Sequence, residues 1–121
     1  MIKKSKKIVP LEEIEQKIVI QYLRSAYPNV LYCASAGGMR TSMRQAIKMK
    51  QMGYIAGFPD LFIYEQRKGF AGIAIEMKRV SGGVASPEQK QWKSHLLLNG
   101  YAAYICKGAD EAIKIIDEYF K

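Results

Sequence analysis

Histidine occurs once in these 121 residues, at His95, and cysteine twice, at Cys33 and Cys106. A histidine-built metal centre or a catalytic triad needs more partners than one His offers, so His95 reads as a structural or surface residue. Two distant cysteines without a CxxC spacing exclude a disulfide framework and a zinc site. Each lies in an apolar run and reads as a reduced core thiol, which fits a reducing cytoplasm. No run approaches the roughly 20 apolar residues of a membrane span. The start, Met1 to Lys7, is basic, but it leads into Ile8-Val9-Pro10-Leu11-Glu12-Glu13 and lacks the apolar core of a signal peptide. Repeats, linkers and low-complexity stretches are missing too, and the length is that of one domain. The most informative absence is of carboxylates: none occurs from Gln16 to Pro59, a stretch with six cations.

The net charge of +8 is concentrated. Lys3, Lys4, Lys6 and Lys7 supply half of it, and Arg40, Arg44, Lys48 and Lys50 the other half, with the remainder neutral. Two compact basic segments on a neutral body suggest a polyanion footprint. Residues 1–10 read as a basic arm and residues 11–121 as a single domain.

Pro10 and the pair Glu12-Glu13 mark a helix start, with acids at the positive end of the helix dipole. This helix runs to about Ala26, with Leu11, Ile14, Ile18 and Tyr22 as its apolar stripe. Val30 to Ala34 reads as a short strand, followed by a loop with Gly37-Gly38. A second helix, about Ser42 to Met52, ends at Gly53. Two apolar runs, to Tyr64 and from Gly72 to Lys78, flank the polar turn 65–69 and signal a hairpin. Ser86-Pro87-Glu88-Gln89 opens a helix with Ser at the N-cap and Gln three positions on. It stops at Asn99-Gly100. Tyr101 to Cys106 reads as a strand and Ala109 to Phe120 as a closing helix. The order α-β-α-β-β-α-β-α predicts a compact mixed α/β domain. The six methionines read as packing residues rather than ligands.

Asp60 ends the carboxylate-free stretch where a strand begins. Side chains alternate along a strand, so Glu76 and Lys78 share one face and Ile75 and Met77 the other. A hairpin centred near Lys68 sets Asp60 across from Glu76, with Cβ atoms about 5 Å apart. Two carboxylates that close shift each other's pKa unless a cation lies between them. Glu15 falls on or beside the inward stripe of the first helix, where an acid is rarely left unpaired, whereas Glu12, Glu13 and Lys17 point elsewhere. Gln89 lines up with Trp92 and Leu96. Taken singly, each residue has a plainer reading: Asp60 as a strand start, Glu76 and Lys78 as a solvated pair, Glu15 as a surface charge, Gln89 as a capping partner. As an ordered set behind Gly-x-Pro, they are specific.

The segments Pro59-Asp60 and Glu76-Met77-Lys78 resemble the PD-(D/E)XK nuclease motif. With Gly37-Gly38-Met39-Arg40, Gly57-Phe58-Pro59-Asp60-Leu61 and Ser86-Pro87-Glu88-Gln89, the chain resembles the VRR-NUC branch, in its short standalone phage and bacterial form. The similarity runs from about Glu12 to the end. It implies a restriction-endonuclease-like α/β fold, with a small mixed sheet flanked by helices. It also implies that Asp60, Glu76 and the Met77 carbonyl ligate Mg2+ or Mn2+, hard cations suited to oxygen donors. Lys78 would orient or help deprotonate the attacking water and stabilise transition-state charge, while the metal polarises the phosphate. Glu15 matches the family's acidic position on the first helix, for a second metal or its waters, and Gln89 a polar position near the site.

Arg40, Arg44 and Lys48 recur every four residues along the second helix. Like charges at that spacing weaken an isolated helix, and a phosphate backbone would relieve them. With the four N-terminal lysines they form the expected DNA contacts. The resemblance implies a homodimeric DNA endonuclease acting on branched DNA such as Holliday junctions, in a bacterial or phage-infected cytoplasm. A flap or nicking nuclease of the same fold, and a catalytically silent nucleic-acid-binding module, are the alternatives.

Overall fold

The computed structural model describes residues 11–36 and 41–121; the lysines of the basic arm and Arg40 lie outside the described residues. Among the described residues eight elements follow in the expected order: α1 (Glu12–Ala26), β1 (Tyr32–Ala34), α2 (Met43–Gln51), β2 (Leu61–Ile63), β3 (Ile73–Lys78), α3 (Pro87–Leu98), β4 (Ala102–Lys107) and α4 (Ala109–Phe120). The four strands form one sheet in the order β1-β2-β3-β4. β2 runs antiparallel to both its neighbours, β1 and β3, and β4 runs parallel to β3. A parallel neighbour requires a crossover, and α3 provides it.

The hairpin register follows from its tip. Lys68 and Gly69 both have positive φ, 52° and 81°, the left-handed pair of a tight type I′ turn. Arg67 and Phe70 close that turn through reciprocal backbone bonds of 3.1 and 2.8 Å. Between the tip and the first ladder pair, Ile63–Ile73, three residues (64–66) face two (71–72). That extra residue shifts the pairing by one and aligns Leu61 with Ile75. The pair beyond them is Asp60 and Glu76, as the spacing predicts.

Alternation along β3 splits the core between two faces. Ile73, Ile75 and Met77 pack with Val19 and Leu23 of α1 and with Ala112, Ile116 and Tyr119 of α4. On the other face Ala74 meets Phe62 and Ala103, with Leu96 of α3 and Tyr101 against them. The closing helix is held to α1 by Asp117, whose Oδ1 accepts the Tyr22 and Tyr27 hydroxyls at 2.5 and 2.6 Å.

Three expectations about burial are corrected. The buried row of α1 is Glu15, Val19 and Leu23, while Leu11, Ile14 and Ile18 are 54%, 49% and 43% exposed. This helix carries two adjacent apolar rows, and contact with α4 and β3 selects the one containing Val19 and Leu23. Cys33 is exposed on edge strand β1, and Cys106 alone is a core thiol. Met43 and Met52 are exposed as well, because α2 buries none of its residues. Among the described residues no helix is long and apolar enough to cross a membrane.

Candidate active site

The ladder between β2 and β3 ends at Leu61–Ile75, and the strands part at the end remote from the turn. The next two residues replace ladder bonds with side-chain bonds. Asp60 N–H donates to Glu76 Oε2 at 3.1 Å, and Met77 N–H donates to Asp60 Oδ2 at 2.7 Å. The Asp60 carbonyl accepts Ser35 N–H at 2.8 Å, so its backbone is also tied to the β1 side. The opened hairpin thereby turns two carboxylates toward each other.

Helix α3 supplies the next contact. Gln89 Nε2 donates to Glu76 Oε1 at 2.5 Å, while Gln89 Oε1 accepts Ser86 N–H at 2.9 Å. Ser86 Oγ accepts Gln89 N–H at 3.2 Å, completing the capping box. One side chain thus starts the helix and grips the carboxylate of β3. Lys78, buried like Glu76, places Nζ 3.6 Å from Glu76 Oε1 and 3.9 Å from Glu12 Oε1.

Burial pushes the Glu76 carboxyl up to about 8, with the Asp60 charge adding to the rise and Lys78 opposing it. Burial also raises Asp60, helped by the charge of Glu12 and opposed by the Met77 N–H and Lys78. Among the described residues, Glu12, Asp60 and Glu76 bring three acids to the side of the cation Lys78. Oxygen donors in a partly dehydrated cleft, whose bound proton a cation can displace, fit a divalent, oxygen-seeking ion. Among the described residues no three His, Cys, Asp or Glu side chains gather tightly enough to hold a metal by themselves.

The first helix departs from expectation. Glu15 is buried, but its Oε2 accepts Ala109 N–H at 2.5 Å, far along the chain at the start of α4. Gly108, the N-cap of α4, has no side chain to do this, so Glu15 caps that helix from outside. Among the described residues it makes no hydrogen bond or ion pair to Asp60, Glu76 or Lys78. The acid of α1 that reaches the cluster is Glu12, which the apolar periodicity had pointed elsewhere. Position in the first turn, nearest the sheet end, was the signal available.

The loop ahead of Asp60 rests on α3. Gly57 has φ +91°, and a Cβ there would stand 2.6 Å from the Glu88 carbonyl carbon, so only glycine permits the approach. Trp92 Nε1 donates to the Ala56 carbonyl at 3.0 Å. Its ring meets that of Phe58 edge-on, centroids 5.1 Å apart at 89°. Arg44 and Lys48 are exposed on α2 and line one shallow groove with Met43, Ile47 and Gln51. His95 is exposed, its carbonyl accepting Asn99 Nδ2–H at 2.7 Å.

Asp60 against Glu76 on an opened hairpin, with Lys78 two residues on and a helix behind, is the arrangement of a PD-(D/E)XK nuclease. The model of the VRR-NUC domain matches residues 9–110, and the chain belongs to that family. A solved structure described as a VRR_NUC domain protein is 29% identical, with a TM-score of 0.77 over 95% of this chain and 90% of that one. None of the curated proteins matches the chain.

Proposed function

We propose that this nuclease domain is a divalent-metal-dependent endonuclease that hydrolyses DNA phosphodiester bonds. The juxtaposition of half-buried Asp60 with buried Glu76, tied by two N–H-to-carboxylate bonds, carries this reading. Asp60, Glu76 and the Met77 carbonyl would hold Mg2+ or Mn2+, which when bound supplies a polarised phosphate and a more acidic water. Lys78 Nζ orients the attacking water and stabilises charge on the scissile phosphate as the phosphorus–ester bond breaks. Gln89 holds Glu76 in place, and Glu12 holds the Lys78 ammonium from the α1 side.

Arg44 and Lys48, with Arg40 and the basic arm, would track phosphates. Such contacts fix position on DNA without reading bases. A domain this small then selects its substrate through DNA shape. On that ground, and on the resemblance to standalone VRR-NUC proteins, the preferred substrate is branched DNA such as a Holliday junction, cut by a homodimer. Two-fold symmetry would present one active site to each of two strands.

The test is cleavage of labelled four-way junction, flap and linear duplex in Mg2+ or Mn2+, with Glu76→Ala alongside. Paired symmetric cuts in the junction, abolished by the substitution, are expected. Flap cutting alone keeps the nuclease and discards junction resolution. Binding without cutting indicates a silent module.

A further inference from the structure

Asp60 and Glu76 lie just beyond the last ladder pair, so their spacing rests on two side-chain bonds, Asp60 N–H to Glu76 and Met77 N–H to Asp60, rather than on ladder bonds. Helix α3 touches both sides of that gap. Gln89 on its first turn grips Glu76 of β3. Trp92, three residues on and on the same face, grips the loop ahead of β2 through the Ala56 carbonyl and the Phe58 ring. From Ala56 the chain reaches Asp60 through Gly57, which is pressed against the Glu88 backbone, and buried Pro59, whose φ is fixed by its ring. That tether is short and stiff, so displacing Ala56 displaces the Asp60 carboxylate.

We propose that Trp92 is a positioning residue: its indole clamps the Ala56–Pro59 loop to α3 and so sets where Asp60 stands relative to Glu76 and Gln89. The helix acts as a ruler with two grips, one for each carboxylate. Trp92 itself touches neither carboxylate and takes no part in the chemistry. The inference rests on the reading of Asp60 and Glu76 as the metal-holding pair.

Trp92→Phe keeps an aromatic ring beside Phe58 and removes the N–H bond to Ala56. Mn2+ affinity, measured by titration of the metal alone, is expected to fall about 10-fold, the loss typical when a group supporting a metal ligand is removed. The kcat on DNA is expected to fall with it while KM stays near wild type. Leu96→Ala, on the same helix but partly buried against Phe62, Ala74 and Ala103, is the control; it lowers the melting temperature and leaves Mn2+ affinity unchanged. Wild-type Mn2+ affinity in Trp92→Phe overturns the proposal, as does an equal loss in Leu96→Ala. Should Trp92→Phe not fold, Phe58→Leu takes its place with the same readout: weakened Mn2+ binding supports the clamp, unchanged binding overturns it. A wild-type protein that binds Mn2+ in a Trp92-dependent way but cuts no DNA refutes the nuclease reading and leaves the clamp standing. One that cuts DNA at the same rate in Trp92→Phe as in the wild type refutes the clamp alone.

Discussion

Asp60 and Glu76 are linked by a backbone bond as well as facing each other: the N–H of the first donates to the carboxylate of the second at 3.1 Å. The carboxylate of Asp60 in turn accepts the N–H of Met77, the neighbour of Glu76, at 2.7 Å. Both side chains stand in for ladder carbonyls, so neither can be altered without disturbing the other.

Glu76→Gln follows from this. The amide keeps the shape and an oxygen acceptor for Asp60 N–H, but removes a buried charge beside Asp60. Metal-free thermal stability near pH 8 should change little, because the relieved repulsion between the two acids is offset by an amide N–H that faces the Gln89 donor and Lys78. Metal-dependent cleavage should drop by at least about 100-fold, since even partners of ligands are worth 10- to 100-fold. Melting curves and single-turnover cleavage check the two halves; retained cleavage would remove Glu76 from the chemistry.

The pH dependence has a definite sign. Glu76 is pushed up to about 8 in the folded protein, against about 4.3 in an unfolded chain. Between those values the folded state holds a proton that the unfolded state has released. Metal-free stability therefore falls as pH rises through that window. A cation held by Asp60 and Glu76 must displace that proton, so its affinity should rise toward pH 8. Melting without metal at pH 5.5 and 8, and Mn2+ calorimetry in buffers of different ionisation enthalpy, measure these effects. A stability gain toward pH 8, or no proton release, would contradict the assignment.

Much of this arrangement was legible in the sequence. The sixteen-residue offset of Asp60 and Glu76 predicts their opposition, and alternation along β3 separates Glu76 and Lys78 from Ile75 and Met77. The Ser86–Gln89 capping box was legible because its signals are local. The inward face of α1 was not. Two apolar rows compete along that helix, and only the position of α4 and β3 decides between them. The same ambiguity hid which acid of α1 faces Lys78: Glu12 does, while Glu15, less than one turn away, accepts Ala109 N–H. The clamp by Trp92 pairs residues 36 positions apart, a tertiary contact without a local signature.

Those two acids on α1 should separate cleanly. Glu15→Gln weakens the charge-assisted bond to Ala109 N–H and should cost about 1–2 kcal/mol of stability, as for a lost helix cap. Metal affinity should stay near wild type. Glu12→Gln removes a partly exposed partner of Lys78 at 3.9 Å. It should barely change the melting temperature, since pairs with an exposed member contribute little, yet it should lower the cleavage rate by freeing the Lys78 ammonium. Denaturant unfolding beside cleavage rates distinguishes the two, and the opposite pattern would restore Glu15 to the site.

Gln89 does two things at once, and a pair of substitutions can divide them. Ser86→Ala removes the hydroxyl that accepts Gln89 N–H but leaves the Gln89 amide on Glu76. Its cost should be that of a lost N-cap, about 0.5–2 kcal/mol, with turnover close to wild type. Gln89→Ala removes the reciprocal capping bond and the grip on Glu76 together. Its stability loss should be similar, but its metal affinity and turnover should fall about 10-fold or more, because the Glu76 carboxylate loses the donor that orients it. Stability alone cannot tell these variants apart; Mn2+ titration can. Near-wild-type turnover in both would reduce Gln89 to a helix-starting residue, and equal losses in both would mean that the start of α3, rather than the amide on Glu76, sets the geometry of the carboxylates.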